Sequence, residues 1–175
     1  MEISGTGSHL DHFIRQTRVH HMHLCSMADV KANMMLTISA LVITFSIGHL
    51  SNPYLRWPVL VLIISCLATI VSAAYAVMPK LDTGFRPDLD RPDCNILFFG
   101  NFMNLEYEEY ARLMEGVMNN PSRVYEAQVR EVYELGVFLG QKKYAYVRLA
   151  YLFFICGLLA SAAVFAGVEI LAAAR

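Results

Sequence analysis

Three stretches of the 175-residue chain contain no Asp, Glu, Lys or Arg: Ala32–Leu55, Trp57–Pro79 and Leu149–Val168. They hold none of the 29 charged residues, which all lie in the other 108, a density of about 27%, typical of a soluble surface. Each stretch is long enough to cross the hydrocarbon core, which takes about 20 apolar residues. With 56% hydrophobic residues and a mean hydropathy of +0.42, this excludes a soluble globular domain and a disordered tail. Cysteine is scarce, and none of the four forms a CxxC, which excludes a disulfide scaffold and a zinc knuckle. There is no GxxxxGK[ST], GxGxxG, HExxH or GxSxG. The net charge of −1 offers no basic field for nucleic acid. No charge inside a span supplies a proton relay, which argues against a proton-coupled transporter.

What is present reads as an all-α integral membrane protein, with three transmembrane helices and a small helical cytoplasmic region between the second and third. Arg15, Arg18 and Lys31 precede the first span and nine cations lie between the second and third, against only Arg56 and Arg175 elsewhere. The positive-inside rule then places the N-terminus and the central segment in the cytoplasm. The expected organisation is an amphipathic cytoplasmic helix over 1–31, spans over 32–52 and 58–78, cytoplasmic loop and helices over 79–146, a span over 147–171 and a periplasmic tail over 172–175. The polar first 31 residues have no apolar run before a small-residue cleavage site, so no signal peptide is expected.

Leu10, Phe13, Ile14, Thr17, His21, Leu24 and Ala28 recur at helical steps. No Gly or Pro follows Ser8 before Gly48, so this helix is expected to run straight into the first span, and Ser51-Asn52-Pro53 to turn the chain. Gly84, Pro87 and Pro92 among four aspartates predict an irregular loop. Ile96–Phe99 reads as a docking segment, with a short strand as the alternative. Asn104 is the expected cap of a helix over about 105–118 and Ser122 that of a second, which runs through Lys142 and Arg148 into the third span. Small residues recur at four-residue steps in Ala68-Ser72-Ala76, Gly157-Ser161 and Ala163-Gly167, spacings that let helices approach closely. Three spans are too few to wall a pore, so any conducting form is a homo-oligomer.

Three constellations could carry chemistry. His20, His21 and His23 precede Asp29, and imidazole with carboxylate suits a metal. One helix cannot turn His20, His23 and Asp29 onto one ion, so other ligands would be needed. Asp29 and Lys31 sit one turn before the hydrocarbon, where an ionisable group pairs, snorkels or faces a cavity. A small anion there would be held by Lys31, the amide of Asn33 and an acceptor such as Asp29; the alternative is an interhelical salt bridge by Asp29 and anchoring by Lys31. Phe98-Phe99-Gly100-Asn101 with Glu106-Tyr107-Glu108-Glu109-Tyr110 could stack a base, with Glu or Asn reading its edge, or seal a small core. Lys142-Lys143 with Arg148 could hold a phosphate or anionic lipid headgroups.

His23 and Ala28-Asp29-Val30-Lys31-Ala32 leading into a first span resemble the transmembrane effectors of bacterial Pycsar anti-phage systems, the PycTM family. Phe98-Phe99-Gly100, Glu109-Tyr110, and Lys143-Tyr144 with Arg148 before the last span are similar too. The resemblance covers about residues 11–171. It implies a partner cyclase that makes cyclic UMP or cyclic CMP on infection, and a membrane effector without catalysis that answers by impairing the inner membrane, so that the cell dies before phage matures. Asp29, Lys31, Asn33, Phe99, Tyr110 and Lys143 are the candidate contacts to that messenger, which is the expected activating ligand; no other cofactor is expected. The rival reading is a membrane-bound, metal-dependent phosphohydrolase using His20, His23 and Asp29. A third is a ligand-free subunit of another membrane complex.

Overall fold

The computed structural model describes residues 7–78 and 94–173, so Gly84, Pro87, Pro92 and the four aspartates of the expected loop lie outside the described residues, as does Arg175. The described residues contain helices and turns but no strand. Helix α1 spans Ser8–Ser46 without interruption, as the lack of Gly and Pro predicts, and continues into a 3₁₀ turn over Ile47–Ser51. The Asn52 side chain accepts a hydrogen bond from the Tyr54 amide at 3.0 Å, which sets the turn into α2, Arg56–Val77. Short α3 covers Phe99–Phe102, α4 Tyr107–Met118 and α5 Pro121–Phe138. One π-helical stretch, Leu139–Tyr144, joins α5 to α6, Ala145–Ala173, with no gap in the helix. Three of these helical runs are long and apolar enough to cross a membrane, so this is a multi-pass membrane protein.

Two expected helix boundaries and one docking segment are corrected. Helix α4 begins at Tyr107, after Glu106 rather than Asn104, because Glu106 is the last extended residue and Glu108 and Glu109 then occupy the dipole-favoured first turn. The cap of α5 is Asn120, not Ser122. Asn120 is extended, and its side-chain oxygen accepts from the amides of Ser122 at 3.1 Å and Arg123 at 3.4 Å. Pro121 at the first helical position needs no amide partner and presets φ, so Asn-Pro-Ser places the cap before the proline. Replacing Asn120 by Ala is expected to cost about 1 kcal/mol and to speed amide exchange at Ser122 and Arg123; unchanged exchange there would show that the cap contributes nothing. Finally, Ile96 is buried, but Phe98 and Phe99 are 43% and 53% exposed, so only the start of Ile96–Phe99 docks.

The chain divides into two compact units. Among the described residues, the first comprises 7–24 and 94–139, the second 25–78 and 140–173. In the first, α1 and α5 are joined by polar contacts. The Tyr125 hydroxyl donates to Asp11 Oδ1 at 2.8 Å, and Arg18 pairs with Glu131 at 3.0 Å. The His21 ring packs where a Cβ on Gly136 would press at 3.2 Å, so the small residue on α5 makes room for the imidazole. Phe13 leaves the predicted stripe and is exposed. Asn95 organises the segment before α3: its amide donates to Glu134 at 2.9 Å and its carbonyl oxygen receives the Asn101 amide at 2.8 Å.

In the second unit, Ala28, Ala32 and Met35 of α1 pack with Ala73 and Ala76 of α2 and Val147 and Ala150 of α6 in one buried cluster. Alanine dominates because small side chains let apolar helices approach to van der Waals contact where the hydrophobic effect offers no driving force. Further along, Gly157 is buried, and any Cβ there would collide with the Ser65 side chain. The Ser161 hydroxyl donates to the Pro58 carbonyl at 2.9 Å, tying α6 to the first turn of α2. Gly167, by contrast, has open space around it. Of the small-residue ladders, Gly157 and Ser161 meet α2 at Ser65 and Pro58, Ala76 packs in the cluster with Val147 and Ala150, and Gly167 takes no part in the close α2–α6 contact.

Candidate functional site

The second unit brings three of the predicted site residues to the polar end of its helices. Lys143, in the π-helical stretch, directs its ammonium between both oxygens of Asp29, each at 2.6 Å. The lysine side chain is 14% exposed and the carboxylate 39%, so the pair is closed on the lysine side and open on the aspartate side. A π-helical turn widens the helix by one residue and re-aims the side chains that follow it. Here it carries Lys143, and Tyr144 after it. Burial works against the lysine's charge, but hydrogen bonds to Asp29 and Cys25 outweigh it and hold the ammonium above its ordinary value. Lys143 is therefore a firm cation at neutral pH.

Lys31 faces elsewhere on α1, as helical geometry requires, and its ammonium lies 5.9 Å from the centre of the Tyr144 ring, within cation–π reach. Asp29 and Lys31 of α1 thus meet adjacent positions of the Leu139–Tyr144 stretch, Lys143 and Tyr144. Asn33 is exposed on α1, one turn beyond Asp29; its backbone carbonyl accepts the Thr37 hydroxyl at 3.0 Å. The interhelical salt bridge weighed for Asp29 is present, and its partner is Lys143.

Phe99 and Tyr110 belong to the other unit. Phe99 opens α3 with its ring half exposed, tilted against Phe98 with centroids 5.1 Å apart. The Tyr110 ring is stacked on Phe102 at 4.6 Å, a closed aromatic pair. In the same unit, burial raises the Glu131 carboxyl above its usual range, with Arg18 opposing. His20 and His23 are exposed, and no group of three or more His, Cys, Asp or Glu among the described residues is placed to hold a metal. Sequence reasoning missed the Cys25 thiol beside Lys143; its position one turn before Asp29 is the signal that could have found it.

The second unit thus carries a sheltered cation paired with a half-open carboxylate, and a second lysine over the ring of the neighbouring Tyr144, next to the apolar windows. The sequence pattern of the Pycsar effector protein domain matches residues 13–168, most of the chain. The chain belongs to the Pycsar effector family. No curated protein and no solved structure matches it. As a Pycsar effector it is an antiviral defence protein, and its three spans fit a membrane effector. Pycsar membership also ties it to cyclic nucleotide signalling and a cyclase partner.

Proposed function

We propose that the protein is a non-catalytic receptor-effector of the inner membrane, with its N-terminus in the cytoplasm. A cyclic pyrimidine nucleotide, cyclic UMP or cyclic CMP, activates it to impair the membrane and cause abortive infection. The observation that carries this reading is the Lys143–Asp29 pair, bidentate at 2.6 Å, sheltered at the cation and open at the carboxylate. A cyclic nucleotide carries one phosphate charge, and phosphate, like carboxylate, forms charge-assisted bonds to an ammonium. Its phosphate replaces Asp29 as the counterion of Lys143, with Lys31 adding a second cation. Asp29 is then released from the Leu139–Tyr144 stretch that leads into α6. Ligand energy reaches the membrane helix only through the difference in affinity between paired and released states. In its own unit, the half-exposed Phe99 ring is the candidate surface for stacking a base, with Tyr110 behind Phe102. Asn33 completes the candidate set on the open side of Asp29. Lys142 and Arg148 hold the headgroups of anionic lipids, and the active form is a homo-oligomer.

Dye release from vesicles containing the full-length protein tests the effector half. Cyclic UMP or cyclic CMP is expected to trigger release and cyclic AMP and GMP are not. Lys31→Ala is expected to insert normally and to release at least tenfold less dye at the same nucleotide concentration. Release that proceeds equally without nucleotide would overturn the reading.

A further inference from the structure

Helix α1 carries one face whose exposed residues suit neither of their surroundings. Before the charge-free window, where water is the solvent, Val19, Met22 and Val30 are 57%, 56% and 55% exposed. Inside the window, where lipid is the solvent, the exposed residues of the same face include Asn33, Thr37 and Thr44. The apolar side chains are in water and the polar ones in hydrocarbon, the reverse of what each medium favours. With Ser26 and Ala40 at the intermediate steps, these positions follow one another at three- and four-residue intervals, the seam spacing of paired helices. Because α1 is one uninterrupted helix, the seam runs 25 residues from Val19 to Thr44, about 38 Å. Thr37 and Thr44 return their hydroxyls to the carbonyls of Asn33 and Ala40. Among the described residues, the Asn33 carboxamide has no hydrogen-bond partner.

We propose that this face binds the same face of a second copy of the chain, with the two α1 helices parallel. The occupant must cover apolar groups in water and polar groups in lipid along one continuous line, so it must itself be a helix that passes from one medium into the other. A second α1 does this in register, because it carries the same inversion at the same depth. Around a two-fold axis each Asn33 meets its counterpart, and a carboxamide both donates and accepts, so the pair satisfies itself. Ser26, Ala40 and Thr44 keep the seam narrow enough for close approach. The exposed faces of α2 and α6 lack this pattern: within their windows the described outward residues are mainly Ile, Leu, Val, Phe and Ala, which lipid solvates well. The contact gives the proposed homo-oligomer a defined surface and forms without a messenger; an Asn33 paired in this way is no longer open to one, so in the paired form the messenger is left to Lys143 and Lys31.

Energy transfer between donor- and acceptor-labelled full-length protein in vesicles, without nucleotide, tests it across a range of protein-to-lipid ratios. The wild type is expected to self-associate. Met22→Glu lies on an exposed site outside the spans, so it leaves folding intact, but it sets two like charges on the seam and is expected to weaken association at least tenfold. Met118→Glu, on an exposed site of α4 away from the seam, is expected to change nothing. Asn33→Leu is expected to weaken association roughly tenfold and Asn33→Gln to restore most of it. A monomeric wild type, or Met22→Glu and Asn33→Leu variants that associate like the wild type, would overturn the proposal. Loss of nucleotide-triggered dye release with association intact would count against the receptor reading alone.

Discussion

Lys143→Met and Asp29→Asn are expected to move nucleotide affinity in opposite directions. If the messenger's phosphate takes the place of Asp29, removing the lysine removes its principal partner. A hydrogen bond to a charged group contributes about 1.5–3 kcal/mol, so affinity should fall roughly 10- to 100-fold. Neutralising Asp29 leaves Lys143 in place and takes away the competitor, so affinity should rise by about tenfold. Both variants lose the ion pair, and each should lower stability by about 1–3 kcal/mol. That range lies between the small value of exposed pairs and the larger cost of stranding one partner of a buried pair, in line with 14% and 39% exposure. Equilibrium binding of cyclic UMP and cyclic CMP to the two variants in nanodiscs checks the signs. Two affinities that fall together would mean that the pair only braces the helices.

Gly157→Val is expected to be the most destabilising single change in the membrane-spanning helices, at about 3 kcal/mol. Its Cβ would occupy the volume of the Ser65 side chain, and the Cα of Ser65 lies only 3.6 Å from that Cβ, so relief requires α2 and α6 to move apart. Separation also stretches the Ser161–Pro58 hydrogen bond. Gly167→Val, ten residues on in the same helix and with nothing within 4 Å of its Cβ, is expected to cost less than about 0.5 kcal/mol. Thermal unfolding of both variants in nanodiscs separates them. Equal stability would show that the α2–α6 contact yields easily.

The legible parts of this fold are those written in short-range chemistry. Charge-free windows of sufficient length announce three spans, and the absence of Gly and Pro between Ser8 and Gly48 announces an unbroken α1. The cap of α5 was legible in type but not in position, since Asn120 and Ser122 are both good caps and only the proline between them decides. Long-range contacts are another matter. Asp29 and Lys143 are each conspicuous beside a span, yet 114 residues separate them, and no periodicity states that they meet. The π-helical stretch that carries Lys143 has no sequence signature comparable to a cap or a turn. Phe99 and Tyr110 look alike as aromatics near a glycine, but only the structure distinguishes a half-exposed ring from one stacked on Phe102. Ala163-Gly167 has the same spacing as Gly157-Ser161, and what differs is the helix placed opposite.

Thermal unfolding of the wild-type protein in nanodiscs against cyclic UMP, CMP, AMP and GMP tests the receptor claim most directly. A nucleotide at about 100 times its dissociation constant adds roughly 2.7 kcal/mol of stability. The account predicts stabilisation of that size by cyclic UMP or cyclic CMP, none by cyclic AMP or GMP, and its loss in Lys143→Met. Unfolding that no cyclic nucleotide shifts, or that all four shift equally, would contradict it.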